Sequence, residues 1–174
     1  MITIQCTKKL AEELPVTLSD KEKMVSQPLY RWHAHLIILN RRKCVAVMNN
    51  VTRYNFILYG LKKADFKRFD QILLEKISEN LIADGIAQSL IQKYFYHAGE
   101  ATFTQTSDRS IISQLNDMIL LARYDMDNNV REMGVEELNQ INRLSNQYPM
   151  SKLPQIFPRD AMQYALENLS MANT

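Results

Sequence analysis

The chain has 174 residues, of which 46% are hydrophobic and 23% charged, and its formal net charge is +2. That length suits one domain, or one domain with an appendage, and the apolar fraction is enough for a core. Cys6 and Cys44 are the only cysteines, too few for a disulfide framework or for zinc without histidine help. No apolar run reaches signal or membrane-span length, so the expected setting is cytoplasmic with both thiols reduced.

Ile2, Ile4 and Cys6 alternate with polar residues and predict a short strand. Thr7 is placed to cap a brief helix running to Leu14, with Pro15 beyond its end. Residues 15–29 have no period and read as loop. From Tyr30 to Tyr59 the pattern is β: strands at 30–39, 44–48 and 52–59, separated by a polar break at 40–43 and by Asn49-Asn50. Connections this short favour an antiparallel meander.

The period then changes. Phe66, Phe69, Leu73, Ile77 and Leu81 step by three or four, which predicts a helix broken at Asp84-Gly85. Ile86, Leu90, Ile91 and Phe95 predict a second helix, and ATFTQT at 101–106 predicts a strand. Asp108 can cap a third helix carrying Ile111, Ile112, Leu115, Met118, Ile119 and Ala122. Residues 125–129 read as polar turn. A weaker helix follows around Val135, Leu138, Ile141 and Leu144, then Pro149, Pro154 and Pro158, then a short helix with Met162, Leu166 and Leu169. This tail is poor in large aliphatics and must dock on the domain or on a partner, or stay mobile. The expected organisation is an α+β domain over 1–124, built on a small antiparallel sheet (the meander at 30–59 plus strands near 2–6 and 101–106), and a helical, Pro-interrupted extension over 125–174.

His33 and His35 are two residues apart on a strand. They share a face about 7 Å apart and could begin a metal site. Zinc needs three or four protein ligands. With a turn at 40–43, Cys44 would pair with Leu39 and sit four rungs from His35, roughly 13 Å away. No metal and no cofactor is therefore assigned, with His33 and His35 as the only starting points for one. Trp32 falls on the opposite face with Ala34, Leu36 and Ile38, a core pattern.

Charge is lopsided. Residues 41–68 hold eight Lys or Arg against Asp65 alone, whereas residues from Asp125 onward hold seven acids and four bases. Arg41, Arg42, Lys43, Arg53, Lys62 and Lys63, with Tyr54 as a stacking ring, form the candidate surface for a protein or other anionic partner, nucleic acid included. A catalytic grouping would centre on His33 with Asn49, Asp108 and Arg109, as in a hydrolase. Gly-rich phosphate loops and nucleophile elbows are absent from the sequence.

Several stretches together resemble a bacterial family known only as a domain of unknown function: CTKKLAEEL, WHAHLIILNRRKC, MNNVTRY and TSDRSIISQLND. The shared pattern is Trp32 and Ala34, Arg41 to Lys43, Asn49 and Thr52, and Asp108 to Ser110 with Asn116 and Asp117, over roughly residues 1–120. The family pattern often has Asn at the place of His35. The resemblance implies one domain in a bacterial or phage-type cytoplasm and carries no activity. The expected function is a non-enzymatic binding module using the basic hairpin and helix face, without a membrane, and with self-association through the extension. Nucleic-acid binding and a hydrolase-like role for His33 are the alternatives.

Overall fold

The computed structural model describes residues 1–20, 26–106, 108–129 and 133–169. Five strands form one mixed sheet in the order β4-β3-β2-β1-β5. They are β1 (Ile2–Cys6), β2 (Arg31–Leu39), β3 (Arg42–Asn49), β4 (Asn55–Leu58) and β5 (Ala101–Gln105). The meander β2-β3-β4 is antiparallel as expected. The sheet as a whole is not: β1 runs parallel to both β2 and β5. The long chain between Cys6 and Arg31 permits this, because a parallel neighbour requires a crossover rather than a hairpin.

The β2–β3 hairpin is tighter than its composition suggested. Asn40 and Arg41 both have positive φ, 49° and 62°, and make a two-residue turn of the kind that matches strand twist. Leu39 therefore pairs with Arg42, Ile37 with Cys44, His35 with Ala46 and His33 with Met48. Cys44 lies two rungs from His35, not four.

Among the described residues seven α-helices accompany the sheet: α1 (Lys8–Ala11), α2 (Lys63–Phe66), α3 (Phe69–Ala83), α4 (Gln88–Ala98), α5 (Arg109–Asn129), α6 (Val135–Ser145) and α7 (Pro158–Glu167). One sheet face carries Ile2, Ile4, Trp32, Val45, Val47 and Phe56, and packs on α1, α3, α4 and α7. The other carries Ile37, Cys44, Ala46, Met48 and Ile57, and packs on α5 and α6. Helix α5 continues through 125–129, read above as turn, because buried Met126 extends the stripe of Leu115, Met118 and Ala122 by another turn. The boundary drawn after Tyr124 thus falls inside a helix. No helix among the described residues is long and apolar enough to cross a membrane.

α6 departs most from its apolar pattern. Val135 and Leu144 are exposed, while Asn142, Ser145 and Asn146 are buried. Asn142 and Asn146 face the free edge of β4. Asn142 accepts from the Ile57 N–H at 2.9 Å and donates to the Ile57 carbonyl at 3.3 Å. Asn146 does the same at Asn55, at 2.8 and 2.7 Å. Two side-chain amides stand in for a sixth strand and satisfy an edge that would otherwise be open. A second tie runs through Asp84 at the end of α3. Its side chain is 2% exposed and pairs with Arg143 Nε of α6 at 2.9 Å. The buried Tyr54 hydroxyl donates to the same carboxylate, and Arg159 Nε donates to the Asp84 carbonyl at 3.0 Å.

Candidate functional site

His33 is fully buried on the face shared with Met48 and Gln5. Its Nδ1 lies 2.7 Å from Asn50 Oδ1, and Asn50 Nδ2 donates to Gln5 Oε1 at 2.6 Å. An amide oxygen only accepts, so His33 carries its proton on Nδ1 and leaves Nε2 as a bare acceptor. That Nε2 is buried and has no partner among the described residues. Burial lowers the His33 pKa and nearby Arg53 adds to this; the Asn50 bond and the charge of Asp108 oppose it.

The turn after β3 assembles this cluster. Asn49 Oδ1 accepts from the Val51 and Thr52 N–H groups at 3.0 and 3.1 Å and from the Thr52 hydroxyl at 3.1 Å, while its Nδ2 donates to the Leu29 carbonyl at 2.8 Å. This gives the Asn-x-x-Thr motif a structural job. It presents Asn50 toward His33 and holds Arg53 at positive φ, where its guanidinium donates to the Asn50 carbonyl and to Gln114 of α5. Asp108 Oδ1 accepts from the Ser110 and Ile111 N–H groups at 2.9 and 3.2 Å, as an N-cap.

The proposed catalytic grouping is not assembled. Asn49 pairs with Trp32 on the face opposite His33, because neighbouring strand residues point to opposite sides. Arg109 is exposed on the first turn of α5. His33 and Asp108 approach closely enough to interact through charge, and an imidazole with no exposure has no surface on which to meet a substrate. Gln5, Asn50 and Gln114 are the members that sequence reasoning missed; only the second Asn of Asn49-Asn50 offered a hint.

The two histidines do share a face, yet each Nδ1 is engaged elsewhere. His35 Nδ1 lies 3.0 Å from Thr7 Oγ1, so Thr7 serves His35 and makes no side-chain cap on α1. Burial, then Lys9, lowers the His35 pKa. Among the described residues no three His, Cys, Asp or Glu side chains are grouped to hold a metal.

The basic residues divide. Tyr54 is buried and bonded to Asp84, so it is not a stacking surface. Arg53 belongs to the His33 cluster. Arg41, Arg42, Lys43, Lys62 and Lys63 are exposed. The Leu61 N–H donates to the Lys43 carbonyl at 2.8 Å, which brings segment 60–63 against the hairpin. Arg42 Cδ lies over Gly60, so close that an added Cβ there would meet it at 3.6 Å. Arg42, Tyr59, Gly60 and Met133 line a depression of about 490 Å³. Two carboxylates screen this end: Glu13, 2.5 Å from Lys43 Nζ, and Asp65, which accepts from the Lys62 N–H.

Residues 3–161 match a family model described as a domain of unknown function, DUF6933. The chain belongs to this family. The match extends well past residue 120, so α6 and the start of α7 lie within the family's span as well. No curated protein and no solved structure matches the chain.

Proposed function

We propose that the protein is a non-enzymatic binding module that engages an anionic partner through its basic end. The observation that carries this reading is the joining of hairpin 40–43 to segment 60–63 through the Leu61–Lys43 main-chain bond. It brings the hairpin's exposed Arg41 and Arg42, the second of which lines the depression, beside the segment that carries exposed Lys62 and Lys63. Clustered like charge raises the local concentration of an oppositely charged partner and speeds its encounter. An acidic protein surface is preferred over nucleic acid because Tyr54 is buried, which leaves half-buried Tyr59 as the one ring among the described residues lining the depression and no pair of rings for successive bases. A bacterial cytoplasmic setting belongs to the same reading.

The test compares polyglutamate with single-stranded DNA as labelled probes, titrated over a range of salt. Wild-type protein should bind polyglutamate with affinity that falls as salt rises, and a variant with Arg41, Arg42, Lys62 and Lys63 changed to Ala should lose at least about tenfold. Equal binding by the variant, or none at low salt, overturns the proposal. A clear preference for DNA moves the assignment to nucleic acid.

A further inference from the structure

The edge of β4 is capped in steps. Its outward-facing residues are Asn55, Ile57 and, by alternation, Tyr59. Asn146 serves the first and Asn142 the second. Two strand residues advance about 6.8 Å and four helix residues about 6.0 Å, so α6 and β4 stay in step, and the position that should serve Tyr59 is 138. That residue is Leu138, whose side chain cannot hydrogen-bond. Among the described residues no hydrogen bond reaches the Tyr59 main chain.

This open rung lies in a groove of about 470 Å³ between β4, α3 and α6. Ile57, Leu61, Ile72, Val135 and Leu138 give it an apolar lining, with Lys76 and Glu79 on one rim. Val135 on this lining is 80% exposed. Tyr59 also lines the depression beside Arg42. Tyr59 thus borders both the groove and the depression at the basic end.

We propose that this groove receives an extended peptide segment of a partner protein, which hydrogen-bonds the Tyr59 main chain, places an aliphatic side chain against Leu138 and Ile72, and directs an acidic residue toward Arg42. Three observations converge on that occupant. The neighbouring rungs already bind amide groups, the chemical equivalent of a peptide unit. The lining suits aliphatic side chains. The positive end supplies charge complementarity for an acid. Adding a strand to an open edge is a recurrent way of binding peptides, with main-chain bonds giving affinity and pockets giving selectivity. The proposal rests on the basic-end reading and names the partner's chemistry.

The experiment uses the full chain and a phage-displayed library of random heptapeptides, selected in parallel on wild type and on Leu138→Asn. An asparagine at 138 should cap Tyr59 as Asn142 caps Ile57, closing the rung from within. Wild type should enrich acidic-aliphatic peptides, and Leu138→Asn should fail to bind them by at least about tenfold, while its salt-dependent binding of polyglutamate is unchanged. Hydrogen exchange should show the Tyr59 amide fast in wild type and slowed in the variant. Should Leu138→Asn fail to fold, Leu138→Glu provides a block by repelling the acidic peptide. Absence of enrichment, or equal binding by the blocked variant, overturns the groove proposal and leaves the basic-end reading standing; loss of polyglutamate binding on changing the arginines to alanine tests that reading alone. Concentration-dependent dimerisation by wild type, abolished by Leu138→Asn, would overturn the partner peptide in favour of a second copy of this chain.

Discussion

The carboxamide of Asn142 both accepts from and donates to the main chain of Ile57, so one helix side chain satisfies one rung of a sheet edge. The bond pair is buried, and its removal leaves two main-chain groups without partners. Asn142→Leu should therefore lose about 2 kcal/mol or more, since an orphaned buried group costs about 1–3 kcal/mol. The exposed neighbour change Leu144→Ala should stay within about 0.5 kcal/mol. Urea unfolding of both variants checks the contrast; equal midpoints would remove the edge-capping role.

Arg143 neutralises a carboxylate with almost no exposure. Removing one partner of such a pair costs about 3–5 kcal/mol, because the other charge stays buried alone. Burial already raises the Asp84 pKa despite the lowering effects of Tyr54, Arg143 and Arg159. In Arg143→Met the carboxyl should be pushed further up and take a proton. The deficit is present above the folded pKa and shrinks as pH falls through it. Thermal melts of the variant should approach wild type between neutral and mildly acidic pH. A deficit independent of pH would mean that packing, not charge, dominates.

Burial lowers the pKa of both His33 and His35. The unfolded chain then binds protons near pH 6.5 that the folded chain refuses. The contribution of these groups to stability is complete above the unfolded value and is lost as pH drops below it. His33→Gln and His35→Gln together should flatten the decline in urea midpoint between pH 7.5 and 5.5. If the double variant keeps the wild-type slope, other groups carry the acid sensitivity.

Burial pushes the Cys6 thiol up to about 12, and Cys44 is raised by the same cause. A thiolate is the reacting species. Ellman's reagent at pH 8 should leave both cysteines unmodified in native protein and titrate both in guanidinium. Rapid native labelling of either would place it nearer the surface than its burial indicates.

Arg41 holds a φ of 62°, a left-handed backbone that glycine adopts without strain. Arg41→Gly should relieve a left-handed strain of about 1–2 kcal/mol, offset in part by glycine's greater freedom in the unfolded chain, for a net rise in stability, while weakening polyglutamate binding. A variant that is less stable, or that binds unchanged, would separate Arg41 from one of its two assigned parts.

How much of this was legible depended on distance along the chain. The stripe at Phe69, Leu73, Ile77 and Leu81 and the alternation at Ile2, Ile4 and Cys6 report their elements directly, because one repeating side must meet the core. On α6 it held in part: the helix forms, Ile141 is buried and Leu138 packs against the core, but Val135 and Leu144 are exposed and the buried face also carries Asn142 and Asn146. Polar residues inside a helix look solvated until the strand edge they satisfy is known. Asn49 likewise read as a neighbour of His33, and a one-residue alternation put it on the other face while Asn50 took its place.

By itself the sequence determined the element types, the antiparallel meander, the pairing of His33 and His35 on one face, and an excess of positive charge over residues 41–68. These follow from local period and composition. Only the tertiary structure decided that β1 runs parallel to its neighbours, that Tyr54 is core, that segment 60–63 lies against the hairpin, and that Asn142 and Asn146 cap the edge of β4. Each of those depends on a hydrogen bond or contact between segments tens of residues apart, whose register no local pattern encodes.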